Sequence, residues 1–355
     1  MALLSLEVRD FRCIDHAQLE FDPRCTFIVG ENASGKTSLL EAIHVLSCGH
    51  SFRSSRHELL IRQGSAQFLA VGRVRRPGGS IVLGVQGGRE RTEAHVAGKP
   101  TQGFAELAAM LPTQVIDPEV HRLLEDGPKA RRRFLDWGVF HVEPQFVEAW
   151  RRYQRALRQR NAALKAKLPR TAITMWDAEV INAGELVSAQ RQRYVDGVQA
   201  AVSDVAGALL DLPVRIEHRR GWSQDWDLQQ ALSESWSRDL RYGTTTVGPH
   251  RADLGVFIDG APVKERISRG QQKLMAAAMM LAQLQHRVET GAEPACLLLD
   301  DPAAELDVDN LKRLLTQVAK IPAQLIVTSL DLRAVDRYLT GATFHVKQGH
   351  VSPVL

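Results

Sequence analysis

The chain has 355 residues, enough for one large domain or two modest ones, and its 44% hydrophobic and 24% charged residues are ordinary for a globular protein. A net charge of +4 demands no anionic partner for the whole molecule, so charge has to be read locally. Cys13, Cys25, Cys48 and Cys296 are far apart, share no C-x-x-C spacing, and so give no metal-site pattern and argue against a disulfide framework. The apolar start, Met1–Phe11, is broken by Ser5, Glu7 and Arg9, and is too short and too early charged for an export signal. No run approaches the ~18 apolar residues of a membrane span. The expected setting is the reducing cytoplasm, with no membrane partner.

In chain order, the pattern predicts short strands at Leu3–Val8, Ala17–Phe21 and Cys25–Val29, the last a compact apolar run suited to burial. Leu39–Leu46 has helical character, so a glycine-bearing loop joins strand to helix. Phe68–Val96 alternates and is punctuated by Gly78-Gly79 and Gly87-Gly88, which predicts antiparallel hairpins. Near Pro118 the character changes, and long helical stretches run to about Leu212. A hairpin is expected at Asp253–Ile258 and Ala261 onward, then a helix at Ser268–Arg287, a buried strand at Cys296–Asp300, a helix at Asn310–Ala319 and a strand at Gln324–Thr328. Phe344–Val346 and His350–Val354 are the closing strands. The expectation is an α/β domain assembled from residues 1–117 and 241–355, interrupted by a helical insertion at 118–240.

Gly30, Gly35, Lys36 and Thr37 fit the phosphate-loop pattern G-x-x-x-x-G-K-[ST]. Its glycines let backbone N–H groups close around a phosphate, and the following helix presents its positive end to that anion. The whole segment Gly30, Glu31, Asn32, Ala33, Ser34, Gly35, Lys36, Thr37 and Ser38 is the candidate ATP-binding loop. Lys36 would reach the β/γ-phosphate oxygens and the Thr37 hydroxyl would ligate Mg²⁺. Chance matches in a chain this long number on the order of 1%. Cys296–Asp301 supplies the second half: an apolar strand carries Asp300 to the sheet edge as a Mg²⁺ ligand, and Asp301 is the candidate to polarise the attacking water. The other reading of this acidic pair is a cap for the next helix.

Ser268-Arg269-Gly270-Gln271 opens a helix about thirty residues before Asp300, a second anion site or simply a capped helix start. With its order relative to Asp300, it resembles the signature motif of ATP-binding-cassette ATPases. That resemblance implies that Ser268, Gly270 and Gln271 close on the nucleotide of a partner copy, with Ser268 sharing the catalytic role of Lys36 and Asp301, in a head-to-tail homodimer. Ala304–Asp307 falls where such ATPases carry their D-loop, and Asp10-Phe11-Arg12 resembles the N-terminal element of SMC-like heads whose Arg touches nucleotide. Gln114 is the best Q-loop candidate, and Ser329, Leu330 and Asp331 stand where a switch histidine is expected.

Gly35 and Ser268 are 233 positions apart, too far for a transporter ATPase and too close for an SMC coiled coil. Helices of about thirty residues, ~45 Å long, would make only a stubby arm. The fold class expected is α/β, an ABC-type, SMC-like ATPase head with a short inserted helical domain. Pro118-Glu119, Leu123-Leu124 and Gly127–Trp137, with Val247–Leu254 (VGPHRADL), resemble the two signatures of the RecF recombination-mediator family, and the likeness runs from Leu3 to about Val351. It implies binding to single- and double-stranded or gapped DNA, ATP-dependent dimerisation, slow DNA-stimulated ATP hydrolysis, and work with RecO and RecR to load the recombinase RecA.

Between Lys129 and Arg170, twelve Lys/Arg oppose only Asp136, Glu143 and Glu148. Arg151, Arg155 and Arg158 recur at i, i+4, i+7 and share one helix face, and with Arg131 and Arg132 they form the candidate DNA contacts, set against an ordinary solvated face. Aromatics are too few to make base stacking the main mode. His250, Arg251 and Asp253 are either nucleotide or interface contacts or groups fixing a turn. A P-loop small-molecule kinase and a non-hydrolysing ATP sensor are the competing readings.

Overall fold

Alternating apolar residues run along β1 (Ala2–Phe11), burying Leu6, Val8 and Phe11, and β2 (Ile14–Glu20) pairs with it antiparallel. The computed structural model describes every residue except Glu305 and Leu355, and falls into two compact units, Met1–Val120 with Lys273–Leu355, and His121–Gln272. After β2 come β3 (Cys25–Val29), α1 (Lys36–Cys48), and the antiparallel run β4 (Gln67–Arg76), β5 (Gly79–Gly88), β6 (Thr92–Val96) and β7 (Lys99–Pro100). A short helix, α2 (Ala105–Met110), leads into β8 (Thr113–Ile116).

The inserted unit comprises α3 (Arg122–Glu125), α4 (Gly127–Val142), α5 (Phe146–Lys165), α6 (Arg170–Thr174), α7 (Asp177–Leu210), β9 (Val214–Arg219), α8 (Leu228–Glu234), α9 (Trp236–Tyr242), β10 (Asp253–Ile258) and β11 (Ala261–Pro262). Helix α10 (Arg269–Glu289) leads back to the first unit, which finishes with β12 (Cys296–Leu299), α11 (Val308–Val318), β13 (Gln324–Ser329), β14 (Ala342–Lys347) and β15 (His350–Val354).

The first unit holds two sheets, ordered β2-β1-β4-β5-β6-β7 and β15-β14-β3-β13-β12-β8. The second is parallel from β14 to β8, and β3, which leads into the phosphate loop, sits between β14 and β13. Helix α1 packs on strands of both sheets, and its Leu39, Leu40, Ala42, Ile43, Val45 and Leu46 are fully buried in their common core. A helix so enclosed gives its first turn a fixed position relative to the ends of β3 and β12, which a phosphate site requires.

In the inserted unit α5 packs along the 34-residue α7, burying Tyr153, Leu157, Val187 and Val195. Residues 241–272 cluster with this unit, so the second boundary lies at Gln272 and not at 240. The cause is pairing at long range: β10 forms a full antiparallel ladder with β9, a strand not assigned by the sequence pattern within the 118–240 insertion.

Candidate nucleotide site and basic helix face

Between β3 and α1 the chain makes a tight loop that needs small residues. Gly35, at φ 116°, and Ala33, at φ 61°, are left-handed, and a Cβ at Gly30 would run into the Val346 carbonyl oxygen. Lys36 is buried, and its Nζ donates to the carbonyl oxygens of Gly30 (2.8 Å) and Glu31 (3.0 Å), which centres the ammonium in the loop. Ser34 Oγ is buried with no hydrogen-bond partner among the described residues. An orphaned hydroxyl in a ring of N–H groups at a helix start is suited to a phosphate oxygen.

The two halves of the motif meet. Thr37 Oγ1 lies 2.9 and 3.0 Å from the two Asp300 carboxylate oxygens. Thr328 Oγ1, on β13, donates to Asp300 Oδ1 (2.7 Å) and accepts from the Asp301 N–H (2.9 Å). Hydroxyl and carboxylate oxygens alone make up this set, the hard donors that Mg²⁺ prefers. Asp301 is half-buried and left-handed, at φ 43°, so its side chain leaves the chain in a different direction from that of Asp300. Thr328 was not among the sequence candidates; a strand-end threonine has no local signature, and only the β12–β13 pairing reveals it.

Other candidates have different work. Arg12, left-handed at φ 55°, makes a bidentate ion pair with buried Glu41 of α1 at 2.8 and 2.6 Å. Glu41 also takes the Ser51 hydroxyl and lies 3.6 Å from Arg53. The Q-loop candidate Gln114 is buried, and its amide donates to Gln283 Oε1 (2.7 Å), tying β8 to α10. Ser329 is fully buried and donates to the Asp331 carbonyl, a turn contact. Of the D-loop segment, Asp307 caps α11 by accepting from the Asn310 N–H (2.9 Å), and Glu305 lies outside the described residues.

In the inserted unit, Ser268 and Gln271 form a reciprocal capping box: Ser268 Oγ accepts from the Gln271 N–H (3.4 Å), and Gln271 Oε1 accepts from the Ser268 N–H (3.0 Å). Ser268, Arg269, Gly270 and Gln271 are all exposed.

The candidate DNA arginines divide. Arg151, Arg155 and Arg158 project from α5 into solvent, with no ion-pair partner among the described residues. Arg131 does not join them: it grips Asp253 with two bonds of 2.8 and 2.9 Å. Arg132 donates to the Ala252 carbonyl (2.7 Å), and burial, then the nearby Arg191 charge, lowers its pKa. Arg160, counted in the basic run, is fully buried against Asp177, Asp239 and Thr245 at 2.7–2.8 Å.

The VGPHRADL segment is likewise structural at two positions. Asp253 holds Arg131, and His250 is locked between the Tyr153 hydroxyl (2.6 Å) and the Thr245 carbonyl (2.9 Å). A carbonyl only accepts, so Nε2 carries the proton and Nδ1 accepts from Tyr153; burial pulls this imidazole down to about 4. Arg251 is exposed and lines a surface groove of about 830 Å³ with Trp222, Trp226, Arg238 and Tyr242, an aromatic cluster that composition alone hid.

Comparisons with known proteins agree with this architecture. The model of the RecF/RecN/SMC N terminal domain family matches residues 2–350. The "DNA replication and repair protein RecF" of Vibrio vulnificus is 38% identical over 98% of this chain and 99% of its own length, and that of Yersinia pestis is 38% identical over 99% and 98%. A solved structure of the recombination mediator protein RecF with ATP superposes with a TM-score of 0.89 at 25% identity, covering 100% of this chain and 98% of that one. An SMC head bound to the C-winged helix domain of ScpA, at 16% identity and a TM-score of 0.61 over 100% of this chain and 97% of that one, shares the fold. The fold is therefore that of an ABC-type, SMC-like ATPase head carrying a short helical insertion. Within that class, the chain belongs to the RecF family of DNA replication and repair proteins. Among the described residues no helix is long and apolar enough to cross a membrane.

Proposed function

We propose that this chain is an ATPase of recombinational repair whose nucleotide state sets its oligomeric state on DNA. The observation that carries this reading is the meeting of Thr37 with Asp300, beside buried Lys36 and the unpartnered Ser34 hydroxyl. Loop N–H groups, Ser34 and Lys36 hold the phosphates of ATP. Thr37 and Asp300 would hold Mg²⁺, which would neutralise phosphate charge. Thr328 aims Asp300 by donating to it, and fixes the backbone of Asp301, which orients the attacking water and takes its proton.

Ser268, Gly270 and Gln271 stand exposed on a rigid helix start, suited to completing the phosphate shell of a second copy in a head-to-tail dimer. Hydrolysis is slow, stimulated by DNA, and releases the dimer. Arg151, Arg155 and Arg158 contact phosphates of single- or double-stranded DNA at gaps. The family relationship adds RecO, RecR and RecA as partners and a cytoplasmic setting, and the RecF–ATP structure supports ATP as ligand. A small-molecule kinase has no use for the exposed Ser268 turn or the basic helix.

Light-scattering mass of the full chain with and without Mg²⁺-ATP tests the proposal. The mass doubles with ATP; Lys36→Met stays monomeric and binds ATP about 10- to 100-fold more weakly, as loss of a charge-assisted bond requires. Ser268→Arg binds ATP and stays monomeric. A wild-type chain that stays monomeric at saturating ATP overturns the dimer, and a Lys36→Met chain that dimerises normally removes the loop from the mechanism.

A further inference from the structure

Helix α1 begins at the phosphate loop, but its other end gathers a different set of groups. His44 and Cys48 are one turn apart on the same face. Gly49 then ends the helix in the left-handed region, φ 75°, with its N–H on the Val45 carbonyl. A Cβ there would overlap the Phe104 ring, so the sharp reversal depends on glycine. The reversal brings His50 back over the helix end. His44 Nε2 lies 3.3 Å and His50 Nε2 3.9 Å from Cys48 Sγ, and all three ligand atoms lie within 4.8 Å of one another. Zinc bonds of ~2.3 Å to sulfur and ~2.0–2.1 Å to nitrogen at tetrahedral angles place S and N about 3.6 Å apart, between the two observed distances.

The surroundings favour a cation as well. His50 Nδ1 donates to the Cys48 carbonyl oxygen (3.0 Å), the backbone bond that fixes a ligating imidazole and leaves Nε2 free. The carbonyl end of a helix attracts positive charge. Phe52 packs edge-on against the His44 ring at 5.5 Å and helps fix its orientation. The thiol also meets the Ser47 side chain and the carbonyl oxygens of His44 (3.1 Å) and His50 (3.6 Å). A search for paired cysteines overlooks such a site, because its pattern is H-x-x-x-C-x-H.

We propose that His44 Nε2, Cys48 Sγ and His50 Nε2 form a site for a borderline-soft divalent transition ion, zinc foremost, with a fourth position open to water or another ligand. On binding, the Cys48 S–H bond breaks, its proton goes to solvent, and a sulfur–metal bond forms. The clamp also reaches the head's own wiring: Ser51, next to His50, donates to Glu41, which holds Arg12. The site stands apart from the ATPase reading, and its test uses no nucleotide.

Titration of the full-length protein with Co²⁺ provides that test. One Co²⁺ per chain is expected, with tetrahedral d–d bands, a near-ultraviolet sulfur-to-cobalt charge-transfer band, and bleaching by Zn²⁺. Cys48→Ser loses the charge-transfer band, Cys13→Ser keeps it, and His50→Ala, whose side chain is exposed so that folding is unaffected, binds more than about tenfold more weakly. Absence of the band in the wild type, its survival in Cys48→Ser, or unchanged affinity in His50→Ala overturns the site.

Discussion

In the first unit, the charged and polar groups of the candidate site lie almost entirely in the contiguous segment Gly30–Ser38 and at one strand end, where Thr37 meets Asp300. In the inserted unit, arginines crowd α4, α5 and α7, yet they sort into two populations. Arg158 is exposed, whereas Arg160, two residues on, is fully buried between Asp177 and Asp239. Arg191 is fully buried as well, holding Asp136 and the Pro249 carbonyl. A loop motif is read from consecutive residues because its chemistry is carried by backbone and close neighbours. A charge run acquires meaning only once the fold has decided which charges are neutralised inside.

Arg160→Ala tests the sharpest edge of this contrast. Removing one partner leaves Asp239 buried and uncompensated, so the full chain should lose about 3–5 kcal/mol in denaturant unfolding. A loss below ~1 kcal/mol would place Arg160 with the dispensable surface charges.

Acid probes the same interior. His250 and His218 are both pulled down to about 4, in each case first by burial. Between the ordinary value near 6.5 and about 4 the unfolded chain binds more protons, so their stabilisation is fully present above pH ~6.5 and lost as pH falls through 4. Their joint contribution is on the order of a few kcal/mol. Denaturant midpoints measured from pH 7 to 4.5 should fall less steeply for the His218→Gln/His250→Gln chain than for the wild type; parallel slopes would deny the histidines this role.

The smallest effect on stability belongs to the exposed arginines. Arg151→Ala/Arg155→Ala/Arg158→Ala should stay within about 0.5 kcal/mol per site of the wild type. The same chain should reduce the log–log salt slope of duplex-DNA binding by roughly 2–3, close to 0.9 per lost phosphate contact. An unchanged slope would show that α5 is a solvated face and nothing more.

These cases also mark how far the sequence could be read. The phosphate loop, the Asp300 strand and the order of most α/β elements were legible, because apolar period and glycine placement are local. Helix α1 starts three residues earlier than its apolar pattern, at Lys36, since the loop and not the pattern sets its first turn. Arg131 resembled a free cation until β10 brought Asp253 to it across 122 positions. Gln114 fitted a loop role by type and place, but its strand turns the amide toward Gln283. Thr328 and Glu41 carried no signal, as each acts only through partners that folding delivers.

Strand β3 has a consequence for biosynthesis. Its two neighbours, β13 and β14, come from residues 324–347, whereas β3 itself ends at Val29. At ~5–20 residues per second, the roughly 300 residues in between take about 15–60 s to synthesise. Throughout that interval the strand that bears the phosphate loop has neither edge paired, so a nascent or prematurely terminated chain cannot assemble the loop's scaffold. Order of synthesis thus acts as a checkpoint: only a polypeptide extended through β14, to Lys347, can complete the scaffold of that loop.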